Sequence, residues 1–372
     1  MFLALREMRH SKARYSLIMV IMLLVSFLVL FVTGLARGLA YANISAVENM
    51  PANYFTVQDD AEHAFRRSQL SEAELAAAMS VVGAGNAATL AVQTSTVTAE
   101  AAEVKADITF FAVDMDGMLA PKVVQGEALT NASQGSAIVD AKLEKSGIAV
   151  GSTIVDQASG MSFKVAGTVE DSSYSHMPVV YITKSDWQVM KGGAVQEGSA
   201  QLSAPYNVIA LKATSAEADQ VAGKLDHVEV ITQKQAISSI PGYAAEQKSL
   251  LMMIAFLFVI AAFVLAVFFY VITIQKTSQF GILKAMGTKM SYLAWSVVGQ
   301  VLILSVASLA VSLLLTFGMN MGLPDTMPFQ LERSTILLTC VLFIGMSLLG
   351  ALISVVRVAK VDALEAIGRA GA

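Results

Sequence analysis

The chain has very few of the side chains that carry chemistry in enzymes. Its 372 residues include one cysteine, Cys340, and four histidines that have no partner at metal-ligand spacing. A single cysteine excludes a disulfide within the chain, so an exported domain must fold on its apolar core alone. The sequence also lacks a GxxxxGK[ST] loop, a GxGxxG loop after a strand, an HExxH pair and a Ser-His-Asp arrangement. We therefore expect a protein that is not an enzyme, and we expect no nucleic-acid partner.

Charged residues are also scarce. They make up 15% of the chain, whereas 55% is hydrophobic and the mean hydropathy is +0.61. Four apolar runs account for this composition, at residues 15–36, 249–274, 293–318 and 335–357, and the one charged residue in them is Arg357 at the end of the last. Crossing the hydrocarbon core of a bilayer takes roughly 20 apolar residues. The sequence therefore predicts a membrane protein with four transmembrane α-helices.

The distribution of charge predicts how these helices are oriented. Segments 1–14, 275–292 and 358–372, together with Arg357 at the border of the last, hold ten basic and three acidic residues. The region 38–248 between the first two runs holds 24 acidic and 13 basic residues. Basic residues mark the cytoplasmic segments of membrane proteins. We therefore expect both termini in the cytoplasm of a multi-pass cell-membrane protein, and we expect the large domain and loop 319–334 outside.

Residues 37–248 have the pattern of a large extracellular α+β domain on two helical stalks. Residues 37–50 continue the first span as a helix until Pro51, and residues 233–248 lead into the second span with an interruption at Pro241-Gly242. Ser71-Glu72-Ala73-Glu74 is a capping box that predicts a helix through Met79. Further helices are expected at 141–147 and 215–225. Strands rich in Val, Ile, Thr and Phe are predicted at 54–57, 90–98, 107–113, 136–140, 152–156, 162–169, 178–182, 207–212 and 228–232.

Two of the cytoplasmic segments are amphipathic. Residues 1–14 are expected to form a short helix whose basic residues meet lipid phosphates at the inner surface, or else a simple basic flank. In the second segment, 280–289, Ile282, Leu283, Ala285 and Met286 form an apolar stripe, and Gly287 is a candidate C-cap. A short helix across a cytoplasmic turn would offer a compact knob to a partner protein. The alternative is a turn with incidental charges.

The second segment also resembles a known motif. Gln279–Lys289 resembles the E-I-G-I-L-R-A-L-G coupling segment of the MacB/FtsX-type (type VII) permeases of ATP-binding-cassette transporters. The resemblance covers essentially the whole chain: Leu3–Arg9 is similar to that family's amphipathic N-terminal helix, segments between Ala137 and Gly167 to its outer-domain core, and Arg357–Leu364 to its P-x-x-A-L ending. Two departures concern contact with the ATPase, because Ser278-Gln279 lacks the usual acidic residue and Asp362-Ala363-Leu364 lacks the proline.

This resemblance implies a permease subunit that forms a homodimer through its first and second helices. Two copies of a separate cytoplasmic ATPase would bind ATP and pass movement along the helices to the outer stalks, while substrate enters laterally from the outer leaflet. The stretch Leu3–Asn49 is similar to the HrtB-type hemin-export permeases of Gram-positive bacteria, which implies hemin as a transported ligand. The implied contacts with the ATPase are Gly281, Ile282, Leu283, Lys284, Ala285, Met286 and Gly287.

Polar residues of the first stalk offer a possible haem site. At 100° per residue, Arg37, Tyr41 and Glu48 lie at about 0°, 40° and 20° on a continuing helix, and Met50 follows beside Pro51. In a C2 dimer a residue near the axis is presented twice, so Glu48 from each copy can supply both axial ligands of the haem iron. Tyr41 and Met50 are alternative iron ligands, and Arg37 can pair with a propionate. The alternative is a helix that simply acquires polar residues as it leaves the membrane.

A second cluster, Tyr174, His176 and Met177, is a further ligand candidate, with loop packing as the alternative. Taken together, these features predict an exporter of hemin or a similar amphiphile. The other classes to consider are a MacB-like exporter of another amphiphile or antibiotic, an FtsX-like regulator that passes movement to a cell-wall hydrolase, and a sensor partner for peptide antibiotics. Four spans with a large outer domain favour efflux over these regulators.

Overall fold

The computed structural model describes residues 12–100, 104–192, 205–323 and 327–359. The chain divides into two compact units, one formed by the residues up to 39 together with those from 248 onward, and the other by residues 40–247. Most of the predicted amphipathic segment 1–14 and of the tail 358–372 lies outside the described residues. The α-helices in chain order are α1 (Lys12–Glu48), α2 (Glu72–Val82), α3 (Lys184–Met190), α4 (Ser215–Lys224), α5 (Gln233–Ser238), α6 (Tyr243–Gln275), α7 (Thr277–Ala285), α8 (Met290–Asn320) and α9 (Arg333–Ala359).

The first unit is built from α1, α6, α8 and α9, which are the helices long and apolar enough to cross a membrane among the described residues. Many of their large apolar side chains, such as Leu24, Phe263 and Trp295, are exposed on the protein surface, as expected for contact with lipid. Small polar side chains are buried between the helices instead. The Ser312 hydroxyl donates to the Leu23 carbonyl at 3.0 Å, and the Ser354 hydroxyl to the Phe269 carbonyl at 2.9 Å. Such bonds hold membrane helices together where lipid tails provide no hydrophobic drive.

The second unit contains one mixed β-sheet. Its strands are β1 (Tyr54–Gln58), β2 (Ala87–Ala99), β3 (Lys105–Val113), β4 (Gln125–Gly126), β5 (Ser136–Asp140), β6 (Thr153–Asp156), β7 (Ser162–Val169), β8 (Ser173–Tyr174), β9 (Met177–Thr183), β10 (Val208–Leu211) and β11 (Val228–Thr232). They follow the order β11-β1-β10-β2-β3-β9-β5-β7-β4, with β6 beside β2 and β7, and β8 beside β9. Neighbouring strands run antiparallel except for two parallel pairs, β3 with β9 and β5 with β7.

Apolar cores lie on both faces of this sheet. Because successive side chains of a strand point to opposite faces, the neighbours Phe110 and Phe111 of β3 enter different cores, and both are fully buried. Phe111 packs with Phe55, Phe65 and Tyr174 in the core that also receives the end of α1. The sheet thereby connects the last turns of α1 to the interior of the α+β domain.

The predicted fold class is confirmed: four long apolar helices with an α+β domain between the first and the second. The capping box that begins α2 is present between Ser71 and Glu74. The helix predicted at 141–147 is present as a 3-10 helix, Ala141–Ser146, which ends where Gly147 turns left-handed at φ +79°. α1 ends at Glu48 rather than Met50, since proline disfavours helical backbone in the residue before it. α3 was not predicted.

Candidate functional site

The site begins where α1 leaves the apolar unit. At 37 residues, α1 is about 55 Å long, whereas the hydrocarbon core is about 30 Å thick. Its last turns therefore belong to the α+β unit. We call residues 40–48 of α1 the first stalk. The second stalk is the start of α6, residues 243–247, which begins after a turn at Gly242 with φ +83°.

A cavity of about 520 Å³ opens beside the end of the first stalk. Apolar groups of Met50, Met118, Leu119 and Pro121 line part of it. Its polar lining residues include Tyr41, Lys122 and Tyr181, together with the acidic pair Glu170 and Asp171. The size is typical of ligand pockets, and the lining combines apolar and polar residues in similar measure. The cavity is therefore suited to a small amphiphile.

Hydrogen bonds hold the polar wall of the cavity in place. The Asn49 side-chain amide donates to the Tyr41 hydroxyl at 2.8 Å and to the Asp171 carbonyl at 3.1 Å. The hydroxyl groups of Tyr181 and Ser172 lie 2.8 Å apart. Burial raises the pKa of Tyr181 to about 12. The Tyr181 side chain is therefore a neutral phenol at physiological pH, which can donate a hydrogen bond but is not an anionic metal ligand.

The carboxyl group of Asp140 lies behind this wall. It accepts a hydrogen bond from the Ser172 backbone N–H at 2.7 Å and another from the Lys142 backbone N–H at 2.8 Å. Burial raises the pKa of Asp140 above its ordinary value, against the lowering effect of the Lys142 N–H and charge. Asp140 therefore anchors the segment that carries Asp171 and Ser172 into the cavity wall.

The structure brings together two of the four predicted haem-site residues. Tyr41 and Met50 both line the cavity. Glu48 is half-buried, its side chain is not part of the lining, and its backbone carbonyl accepts a hydrogen bond from Gln233 at 3.2 Å. Arg37 belongs to the apolar unit, where its Nε lies 3.4 Å from a carboxylate oxygen of Glu332. A propionate would therefore have to compete with Glu332 for Arg37.

Sequence reasoning missed Met118 and Lys122. Both lie in the connection between β3 and β4, which has neither a helical nor a strand period. Pattern analysis could not single them out, because only the folded chain brings this connection to the stalk. Lys122 is the one basic residue among the described residues that line the cavity, and Met118 is a second methionine there besides Met50.

The second predicted cluster separates into residues with different roles. Tyr174 is almost fully buried, and its ring centroid lies 5.6 Å from that of Phe111. Burial raises the pKa of Tyr174 well above its ordinary range, so Tyr174 is a core residue rather than an accessible ligand. His176 contacts Glu246 and Asn43 instead. Among the described residues, no group of three His, Cys, Asp or Glu side chains is placed to hold a metal ion.

The predicted coupling segment forms α7. The helix ends in a Schellman motif, in which Gly287 N–H bonds the Lys284 carbonyl and Thr288 N–H bonds the Leu283 carbonyl, both at 3.0 Å. Gly287 has φ +86°, one position beyond the C-cap Met286. Ile282 and Met286 are 50% and 69% exposed, whereas Gly281 is buried. Among the described side chains of this segment, Ile282 and Met286 are the apolar ones most available to a partner.

Comparisons with known proteins find a matching family model for part of the chain and relatives that match nearly its whole length. The family "FtsX-like permease C-terminal" matches residues 251–363. A Staphylococcus haemolyticus protein with the provisional name hemin transport system permease protein HrtB is 33% identical over 369 residues, which are 99% of each chain. A Staphylococcus epidermidis protein with the same provisional name is 30% identical over 371 residues, again 99% of each chain.

Two solved structures resemble part of the chain. The periplasmic region of MacB from Actinobacillus actinomycetemcomitans is 15% identical, with a TM-score of 0.36, and the match covers 53% of this chain and 97% of that one. The extracellular domain of the transporter YknZ from Gram-positive bacteria is 14% identical, with a TM-score of 0.35 and coverages of 48% and 98%. On the strength of its full-length relatives, the chain belongs to the FtsX-like permease family of ATP-binding-cassette transporters, together with the HrtB permeases.

Proposed function

We propose that the protein is the permease subunit of an exporter that removes hemin from the membrane, driven by a separate ATPase. The observation that carries the proposal is the 33% identity across 99% of both chains with an HrtB permease. The cavity beside the first stalk supports it, because a mixed apolar and polar lining suits a flat amphiphile. A purely mechanical regulator has no need of such a cavity.

Different residues of the stalk and the cavity would contact different parts of the ligand. The apolar side chains of Met50, Met118 and Leu119 would contact the macrocycle. The Lys122 ammonium group would attract a carboxylate of the ligand. Glu48, at the end of the first stalk, would meet the iron together with the same residue of a second copy.

The arrangement of the complex is part of the same proposal. Two permease copies would pair with two ATPase subunits, which bind ATP. Helix α7 and both termini would lie in the cytoplasm, because basic residues are concentrated in segment 275–292, which contains α7, and in the terminal segments. The α+β domain would lie outside. Closure of the ATPases would move α7, and α1 and α6 would carry the movement to the stalks.

An absorption spectrum of the purified permease with roughly micromolar hemin tests the proposal. We expect a Soret shift with wild-type protein, and we expect Glu48→Ala to weaken hemin binding roughly tenfold or more, as for other lost metal contacts. Tyr41→Phe and Arg37→Ala should give smaller losses. Glu144→Ala is the matched control, since Glu144 is an exposed carboxylate in the 3-10 helix after β5 and does not line the cavity.

Two outcomes would count against the proposal, and they differ in meaning. The absence of a Soret shift with wild-type protein would remove hemin as the substrate and favour an exporter of another amphiphile or an FtsX-like regulator. Wild-type affinity and spectrum in Glu48→Ala would instead show that the iron is not bound at the end of the stalk. Met50→Leu and Met118→Leu would then test the cavity directly.

A further inference from the structure

The segment 171–176, which leads through β8 to the tip of the β8–β9 hairpin, lies along the first stalk. Three hydrogen bonds in antiparallel order join this segment to the first stalk and to Asn49, the residue that follows it. Asn49 donates to the Asp171 carbonyl at 3.1 Å, the Ser173 N–H donates to the Ser45 hydroxyl at 2.9 Å, and the Ser175 N–H donates to the Asn43 carbonyl at 2.8 Å. Between them, the Tyr174 ring is buried in the core of the domain. The hairpin is therefore fastened to the stalk on one side and to the core on the other.

The tip of this hairpin has an unusual backbone. Its two residues, Ser175 and His176, have φ values of +53° and +62°. Positive φ at both central residues is typical of a type I′ turn, for which asparagine and glycine are preferred. A histidine here adopts a disfavoured conformation, which persists only if its surroundings hold it. The contacts of the imidazole ring stabilise this conformation.

The ring of His176 connects the hairpin to both stalks. Its Nε2 lies 2.9 Å from a carboxylate oxygen of Glu246 on the second stalk. The side-chain amide of Asn43, which is fully buried on the first stalk, donates to the same oxygen at 2.9 Å and lies 3.1 Å from His176 Nε2. These three side chains thus meet at one carboxylate oxygen. We call them the tip clamp.

We propose that the tip clamp makes the two stalks and the β8–β9 hairpin move as one piece during transport. His176 is then a positioning residue of the transport cycle and not a ligand of the substrate. The reason is one of connectivity: α1 and α6 each continue into an apolar span, and the clamp joins their domain-side ends. The proposal rests on ATPase-driven movement of the stalks and does not depend on hemin as the substrate.

The clamp has a direct consequence for the cavity. Asp171 and Ser172 immediately precede β8, Tyr181 belongs to β9, and all three line the cavity wall. The same hairpin therefore carries the clamp at its tip and part of the cavity wall at its base. A movement of the stalks that is passed to the tip would change the shape of the cavity. ATP hydrolysis by the ATPase would in this way alter how the cavity binds its ligand.

A matched pair of histidine–glutamate contacts in the same domain allows a sharp test. His63 Nε2 lies 3.0 Å from Glu229, and His63 also has positive φ, +63°, but Glu229 belongs to β11 and to neither stalk. We compare His176→Gly with His63→Gly in the full permease with its ATPase. Glycine accepts positive φ without strain, so both variants should fold and lose only the ring. The measurements are ATP hydrolysis, substrate export, and amide hydrogen exchange of residues 173–176.

We expect His176→Gly to hydrolyse ATP at the wild-type rate, to export roughly threefold less per ATP, and to exchange faster at the Ser173 and Ser175 amides. Glu246→Gln should act similarly, and the double variant should be no worse than either single one. His63→Gly should keep wild-type export and exchange at these amides. Unchanged amide exchange in His176→Gly, or an equal effect in His63→Gly, would overturn the proposal. Amide exchange needs no knowledge of the substrate, so it remains decisive if hemin is not exported.

Discussion

At the scale of single residues, two glycines of α1 decide how closely another backbone segment approaches this helix. A Cβ atom at Gly38 would lie 2.3 Å from the Pro328 carbonyl oxygen, and one at Gly34 would lie 2.7 Å from the Phe329 ring. The Gln330 N–H also donates to the Gly34 carbonyl at 3.1 Å. The segment before α9 therefore packs against bare backbone that no other residue type provides.

We predict that Gly38→Ala destabilises the protein by about 1–3 kcal/mol, because the clash is with backbone and cannot be relieved by a side-chain rotation. Gly299→Ala on α8 is the control, since no atom lies within 4 Å of its added methyl group. Alanine there should be neutral or stabilise by up to about 1 kcal/mol, as usual for glycine in a helix. Thermal unfolding in detergent measures both. A higher melting temperature for Gly38→Ala would contradict the close approach.

At the scale of the element, α7 presents two exposed apolar side chains beside a buried glycine. This changes how the coupling hypothesis should be tested. A bulky residue at Gly281 would disturb the permease itself, so its effect on the ATPase would be ambiguous. Substitutions at Ile282 and Met286, which are at least half exposed, act more directly on the surface that a partner can reach.

We predict that Ile282→Asp and Met286→Asp each weaken association with the ATPase more than about tenfold, because an apolar anchor at the centre of an interface would be replaced by a desolvated charge. Val124→Asp is matched to them in chemistry, since Val124 is 62% exposed but belongs to the α+β domain. Pull-down of the ATPase with each purified variant gives the measurement. Normal association of both α7 variants would exclude this helix as the contact.

At the scale of the whole molecule, the distribution of charge predicts the orientation in the membrane, and the single cysteine makes this prediction testable. In a Cys340→Ser background, a cysteine at Gly85, where an added side chain meets open space, should react with a membrane-impermeant maleimide in intact cells. A cysteine at the exposed Lys289, between α7 and α8, should react only after permeabilisation. The reverse pattern would place the α+β domain in the cytoplasm and invalidate the proposed direction of transport.

Much of the architecture could be predicted from local patterns. The four membrane helices follow from apolar runs alone, because a backbone in lipid must satisfy its hydrogen bonds within each helix. The capping box at Ser71–Glu74 and the interruption at Pro241-Gly242 are also local, since they depend on residues within one turn. Arg37, Tyr41 and Glu48 lie on one helix, α1, as predicted, and their roles in binding haem stay a prediction.

Only the tertiary structure decided which of these residues share a site. The cavity is built from three parts of the sequence that lie far apart: Tyr41 and Met50, the connection after β3, and the region that holds Asp171 and Tyr181. Likewise, His176 meets Glu246 across 70 positions, and Arg37 of α1 meets Glu332, which lies near the start of α9. The physical reason is that helix and cap formation are settled by neighbours within a few residues. Strand order, burial and long-range ion pairs are settled by the packing of the whole domain.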